Sequence, residues 1–92
     1  MDTFKITIKG IVQGVGFRPF IYKIAKQLKL VGEVYNNSNG VTIKLNCTLK
    51  QVKEFIRKIK KEKPPLSQID FIDYDKISSQ KFDNFSTVKT CW

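Results

Sequence analysis

Residues 4–28 read FKITIKGIVQGVGFRPFIYKIAKQL, and the spacing of their apolar side chains changes once along the stretch. Phe4, Ile6 and Ile8 alternate with polar residues, which is the two-residue period of a half-buried strand. From Pro19 onward the apolar residues recur every three or four positions, as they do on one face of a helix. The stretch therefore predicts a strand, a glycine-rich loop and a helix in direct succession.

A hairpin is expected directly after this helix. Residues 31–35 and 41–45 both have the strand period, and the cluster Asn-Asn-Ser-Asn-Gly at residues 36–40 separates them with turn-forming residues. Asn39-Gly40 favours the positive φ angles of a tight hairpin turn. Asn37 is likewise interpreted as a turn residue.

A second helix and further strands complete the pattern. Helical spacing returns over residues 49–59, with Thr48 as N-cap, and ends before Pro64-Pro65. Residues 69–77 have strand character, and a short edge strand is expected around residues 82–88. The order β-α-β-β-α-β predicts an α+β ferredoxin-like sandwich, an antiparallel four- to five-stranded sheet with two helices on one face. Four aromatic residues are expected on core faces: Phe4, Phe20, Phe55 and Phe71.

Length and composition predict one globular domain and exclude several classes of protein. The 92 residues are 41% hydrophobic and 27% charged, so we expect a single domain over residues 1–92. No apolar run approaches a membrane span and no signal peptide is evident, which predicts a cytoplasmic protein without a membrane partner. Histidine is absent, which excludes His-dependent triads, and no metal site is expected. Cys47 and Cys91 are expected to be reduced, with one disulfide between them as the alternative.

The loop Gly10–Pro19 between the first strand and the first helix has the composition of an anion site. Its glycines allow successive backbone N–H groups to form a concave nest, to which the helix dipole adds positive potential. The loop holds no Ser, Thr, Asp or Asn as a cap, and Arg18 stands where a cation is normally unfavourable. A phosphate group would satisfy the N–H groups and pair with the guanidinium. The alternative is a tight turn whose arginine extends into solvent.

Two motifs of this sequence resemble those of the acylphosphatase family. They are Gly10-x-Val12-Gln13-Gly14-Val15-x-Phe17-Arg18 and Gly32-x-Val34-x-Asn36, the latter followed by Asn39-Gly40-Val41. The resemblance implies hydrolysis of an acyl phosphate to a carboxylate and inorganic phosphate, without a cofactor. It implies that Arg18 binds the phosphate and that Asn36 orients the attacking water; the alternative for Asn36 is a cap of the hairpin turn. The implied phosphate-binding loop consists of Gln13, Gly14, Val15, Gly16, Phe17 and Arg18.

The reaction implied by this resemblance suits a chain without histidine. An acyl phosphate releases a carboxylate whose conjugate acid has a pKa of about 4, so no general acid is required. Phosphoryl transfer depends mainly on positioning and charge stabilisation, which a nest of N–H groups and one arginine can supply. Carbamoyl phosphate is among the candidate substrates, whereas alkyl phosphate esters have poorer leaving groups and are not expected to react.

Within the family the sequence is more similar to one subgroup. Phe17-Arg18-Pro19-Phe20 and Pro64-Pro65-Leu66 resemble the acylphosphatase-like N-terminal domain of the hydrogenase-maturation carbamoyltransferase. Free-standing members more often have Gly-Pro before the fourth strand and Trp after the glycine of the second motif, where this chain has Lys63-Pro64 and Glu33. Two interpretations follow: a domain that works with further domains of a larger maturation protein, or a small independent enzyme.

The net charge of +9 raises a second function class. Residues 50–63 hold seven basic residues and two glutamates, which is also typical of a nucleic-acid- or protein-binding module that keeps only the ferredoxin-like fold. No strand carries the aromatic pattern of RNA-binding modules with this fold. A solvated helix face is therefore the favoured interpretation, and nucleic acid is not expected as a partner.

Overall fold

The computed structural model describes residues 2–12, 16–37, 40–82 and 85–87. Its strands are β1 (Thr3–Ile11), β2 (Val31–Asn37), β3 (Gly40–Asn46), β4 (Gln68–Ile77) and β5 (Phe85–Thr87). Its helices are α1 (Phe17–Gln27) and α2 (Leu49–Glu62). The predicted β-α-β-β-α-β order is confirmed, and the expected short edge strand follows it.

The strands form one sheet in the order β4-β1-β3-β2-β5. β1 pairs antiparallel with β3 and β4, and β2 pairs antiparallel with β3, which confirms the antiparallel sheet predicted for these four strands. β5 instead runs parallel to β2, with Gly32 opposite Phe85. The direction follows from the topology, because β4 ends at the end of the sheet where β2 begins. A strand that starts there and follows β2 is parallel to it.

One hydrophobic core lies between the sheet and the two helices. The helices contribute Phe17, Ile21, Ile24 and Ala25 from α1 and Val52, Phe55 and Ile59 from α2. The strand residues that meet them are Phe4, Ile6, Ile8, Val34, Val41, Ile43 and Leu45. Because alternate residues of a strand point to opposite faces, these strand residues define a single face. Both helices cover that face, as predicted.

The hairpin between β2 and β3 is confirmed, with longer strands than expected. The ladder continues to the pair Asn37–Gly40, so Asn36 and Asn37 belong to β2. The interpretation of Asn37 as a turn residue is therefore wrong. Backbone pairing with β3 outweighs the low strand propensity of asparagine at these positions. Ser38 and Asn39 lie outside the described residues.

A β-bulge between β1 and β4 changes the alternation of side chains near the end of β1. Lys9 pairs with Phe71 but Gly10 pairs with Ile69, so Asp70 is the extra residue. Phe71 consequently lies on the face that the helices leave uncovered and is 47% exposed, whereas Ile69 packs against the core. The expectation that Phe71 faces the core is wrong for this reason. The expectation is confirmed for the other three aromatic residues, Phe4, Phe20 and Phe55.

The two helices begin in different ways. Thr48 is the N-cap of α2, as predicted: its Oγ1 accepts the Gln51 N–H at 3.2 Å, and its own N–H donates to Gln51 Oε1 at 2.9 Å. This capping box satisfies two N–H groups of the first turn. The N-cap of α1 is Gly16, which offers no side-chain hydrogen bond. Of the two helices, only α2 begins on a side-chain acceptor.

Candidate functional site

The carboxyl ends of β1 and β2 lie at the same end of the sheet, because both strands are antiparallel to β3 between them. We call this the loop end. Ile8, Val41 and Asn36 stand side by side across the three strands near the loop end, and directly opposed residues share a face. Ile8 and Val41 are core residues. Asn36 therefore lies on the helix-covered face, at the end of the sheet from which the chain enters α1.

The amide oxygen of Asn36 is buried without a partner. The residue is 6% exposed, and its Oδ1 accepts no hydrogen bond within the described part of the chain. Leaving such a group unpaired costs about 1–3 kcal/mol, so buried polar atoms are nearly always paired. Asn36 also lies within the ladder rather than in the turn, which does not support its interpretation as a turn cap. Within the described residues, Asn36 Oδ1 is thus an acceptor that no donor satisfies.

The start of α1 has a glycine as its N-cap and a buried phenylalanine as its first residue. Gly16 has φ 77° and ψ 21°, in the left-handed region that favours glycine. Phe17 is 1% exposed and stacks edge to face on Phe20, with ring centroids 5.6 Å apart. The anchored Phe17 fixes the position of Arg18, which is half-buried and is the second residue of the helix. Pro19 lies in the first turn, as predicted, although α1 begins two residues before it.

Three of the sequence-predicted loop residues, Gln13, Gly14 and Val15, lie outside the described residues. The structure describes the residues on either side of them. Val12 and Phe17 are each 1% exposed, so a buried apolar side chain flanks the loop on both sides. The structure therefore brings Gly16, Phe17, Arg18 and Asn36 to the loop end, and these are the predicted site residues that it describes.

Gly10 has a structural role that the motif did not reveal. Its φ is 134°, and a Cβ atom built there would lie 2.1 Å from the backbone oxygen of Gln68. The glycine thus permits the close approach of β4 at the bulge, just before the loop. An isolated glycine in a strand pattern is the sequence signal for such a bulge. Gly16 differs, because among the described residues beyond its chain neighbours no atom lies within 4 Å of a Cβ built there.

We expect alanine to be much more harmful at Gly10 than at Gly16. Gly16→Ala adds only the strain of a left-handed residue, about 1–2 kcal/mol. Gly10→Ala combines similar strain with a steric clash typically worth about 1–3 kcal/mol, for a loss of roughly 2–5 kcal/mol. Urea unfolding of both variants measures the two losses. Equal losses would contradict the distinction.

The buried thiol of Cys47 lies away from this site. Cys47 follows Asn46, whose partner in β1 is Thr3, at the opposite end of the sheet. Burial raises the pKa of the thiol to about 11, and the Asp2 carboxylate adds to the shift. The free thiol is therefore protonated at neutral pH and is not a nucleophile there. Cys91 lies outside the described residues.

Among the residues that the structure describes, no group of three or more Cys, Asp or Glu side chains is arranged to hold a metal ion. None of the described helices has the length and apolar character needed to cross a membrane. The unpaired Asn36 oxygen and the start of α1 both lie at the loop end.

Comparison with known proteins agrees with this architecture. The acylphosphatase family model matches residues 4–87. The chain belongs to the acylphosphatase family. The crystal structure of the acylphosphatase from Bacillus subtilis has a TM-score of 0.85 at 32% sequence identity, over 97% of this chain and 100% of that chain.

Other relatives of this acylphosphatase-family chain are much longer. The probable carbamoyltransferase HypF of Methanocaldococcus jannaschii is 46% identical over 87 residues, which are 94% of this chain and 11% of the relative. A full-length HypF, crystallised in a phosphate- and nucleotide-bound form, has a TM-score of 0.89 at 43% identity, over 96% of this chain and 12% of that chain. This chain therefore spans only about a tenth of the length of this carbamoyltransferase. The predicted resemblance to acylphosphatases and to the acylphosphatase-like N-terminal domain of the carbamoyltransferase is confirmed.

Proposed function

We propose that the chain hydrolyses acyl phosphates to a carboxylate and inorganic phosphate. The observation that carries the proposal is the buried Oδ1 of Asn36, which has no described partner and lies at the loop end. The same end holds the start of α1, where no described side chain caps the helix. Among the described residues, Asn36 Oδ1 thus has no donor and the first N–H groups of α1 have no side-chain acceptor. A water molecule would donate a hydrogen bond to Asn36 Oδ1, and a phosphoryl group would accept hydrogen bonds from the N–H groups.

The proposed mechanism divides the work between the helix start and Asn36. The backbone N–H groups of residues 13–18 and the guanidinium of Arg18 hold the phosphoryl oxygens. Asn36 Oδ1 accepts a hydrogen bond from a water molecule, whose oxygen attacks phosphorus in line with the leaving group. The bond between phosphorus and the acyl oxygen breaks, the carboxylate leaves with the electron pair, and the proton of the water passes to the phosphate product or to solvent.

Similarity to the relatives supports a proposal for the acyl group and for the setting of the reaction. Similarity to proteins named carbamoyltransferase makes carbamoyl phosphate the first substrate to test. The greater identity to HypF than to the Bacillus subtilis acylphosphatase favours a role beside the further domains of a hydrogenase-maturation protein. A small independent enzyme is the second setting, supported by the full-length match to the acylphosphatase.

Turnover of an aryl acyl phosphate tests the reaction directly. We expect release of phosphate from benzoyl phosphate and none above background from an alkyl phosphate ester, because only the first has a carboxylate as leaving group. Equal rates on the two substrates would contradict the proposed chemistry.

Inorganic phosphate is expected to stabilise the folded protein, because the product occupies the same N–H groups and Arg18. At 100 times its dissociation constant, a ligand of the folded state adds about 2.7 kcal/mol to the free energy of unfolding. The measurement is the melting temperature across a phosphate titration at fixed ionic strength, with sodium chloride as the balancing salt. A melting temperature that does not rise would contradict the phosphate site.

A further inference from the structure

The outer edge of β4 is a surface for strand pairing. β4 lies at the end of the strand order and, among the described strands, pairs only with β1. It is 10 residues long. Edge strands present a row of backbone N–H and C=O groups that another chain can pair with, and proteins commonly keep such strands short or covered. The length of β4 offers an added strand a long row of backbone groups, among which the Tyr74 N–H already donates to Asp73 Oδ1 at 2.8 Å.

A surface cavity of about 280 Å³ lies against the first half of this edge. Binding sites for whole small molecules usually measure about 300–1,000 Å³. This cavity instead suits one or two side chains of a peptide that runs along the strand. It is lined by Lys60, Lys63, Ile69, Asp70, Phe71 and Ile72.

The cavity combines positive charge with apolar surface. Lys60 and Lys63 come from the last turn and C-cap of α2, and Lys63 Nζ donates to the Ser67 backbone oxygen at 3.2 Å. The carboxylate of Asp70, which accepts a hydrogen bond from Gln68 Nε2 at 2.7 Å, offsets part of the charge. On the side of the lysines, the apolar lining comes from Ile69 and Ile72, which are half-buried, whereas Phe71 is exposed on the opposite face of the sheet.

The second half of the edge has the opposite charge. Asp73 and Asp75 are both exposed and share the face of Phe71. Asp73 stands opposite the uncharged Thr7, whereas Asp75 stands opposite Lys5. The next residue is Lys76. Its Nζ lies 3.5 Å from Asp2 Oδ2, and this ion pair compensates the charge of the lysine. The edge therefore runs from a basic, apolar start to an acidic end.

We propose that β4 binds an extended peptide segment of a partner protein as an additional antiparallel strand. Basic side chains in the first half of the segment face Asp73 and Asp75. An apolar side chain and carboxylates in its second half occupy the cavity beside Lys60 and Lys63. The antiparallel direction follows from its slightly greater stability per residue. It also brings the carboxyl end of the segment toward the two lysines.

Binding of designed peptides tests both the pairing and its direction. The probe is a fluorescent 10-residue peptide, matched to the length of β4, with basic residues first and apolar and acidic residues last. We expect it to bind about tenfold more tightly than the same residues in reverse order, a difference of about 1.4 kcal/mol. Methylation of alternate backbone nitrogens of the probe peptide should abolish binding, because it removes the N–H groups that would donate to the C=O groups of β4. The amide NMR signals of residues 69–75 should shift on binding.

Charge reversal on α2 supplies the matched comparison. Lys60→Glu with Lys63→Glu is expected to weaken the patterned peptide about tenfold, whereas Lys50→Glu with Lys53→Glu, at the other end of α2, changes binding by less than about twofold. Equal effects of the two double variants would show a general attraction to the basic protein and would overturn the proposal. Tighter binding of the reversed peptide would overturn the direction. If neither peptide binds, the proposal is overturned, and the charged residues along β4 serve only to prevent strand pairing between copies of this chain.

Discussion

Arg18→Ala is expected to abolish stabilisation by phosphate and to lower kcat/KM by roughly 10³-fold or more, the range found for arginines that neutralise charge in phosphoryl transfer. The guanidinium would contact the phosphoryl oxygens in both the ground state and the transition state, so binding and turnover fall together. The fold should persist, since Arg18 is only half-buried and the adjacent Phe17 retains its place in the core. Phosphate titration and turnover of benzoyl phosphate measure the two losses on one preparation.

Arg18→Lys separates geometry from charge. Lysine retains the positive charge but lacks the planar fork that binds two phosphate oxygens at once. We expect it to recover only a small part of the activity lost in the alanine variant. Near-normal turnover of the lysine variant would show that charge alone matters at this position.

Asn36→Ala is expected to lower kcat by roughly 10²–10³-fold, as does the loss of one positioned hydrogen bond in other active sites. Phosphate affinity should hardly change, because in the proposed mechanism the loop and Arg18 bind the phosphate whereas Asn36 contacts the water. The free energy of unfolding should be retained or should increase, because the substitution removes a buried oxygen without a described partner.

A turn cap predicts a different result for the same variant, namely a loss of about 0.5–2 kcal/mol of stability at unchanged kcat. Asn46→Ala provides the matched control at the opposite end of the sheet, where Asn46 Oδ1 accepts the Thr3 hydroxyl at 2.8 Å. That variant should lose stability and keep its kcat. Melting temperature, phosphate affinity and kcat of both variants distinguish the two roles of asparagine.

The elements of this fold were predictable where local sequence determines them. The change from strand to helix spacing between Ile8 and Phe20, and the Thr48 cap of α2, are local signals, and the structure has both. The exposure of Phe71 depends on a bulge opposite Gly10, a residue about sixty positions away along the chain. Periodicity within one strand contains no information about an extra residue that arises from pairing with another strand.

The sequence predicts which residues belong to the candidate site but not how buried or how well hydrogen-bonded they are. The motifs predict roles for Arg18 and Asn36, and the topology brings their segments to one end of the sheet. That Asn36 Oδ1 is buried without a described partner depends on the surrounding side chains of the packed core. Such burial follows from tertiary packing, and no spacing rule anticipates it.

The position of β3 between β1 and β2 has a consequence for folding kinetics. β1 and β2, which lead to the two parts of the candidate site, do not pair with each other, and Ile8 is aligned with Asn36 through Val41. The site is complete only after both long-range pairings have formed, and long-range pairings are the slow, entropically costly part of folding. For the proposed phosphate site, the binding groups are assembled only late, and we expect phosphate to slow unfolding rather than to speed folding.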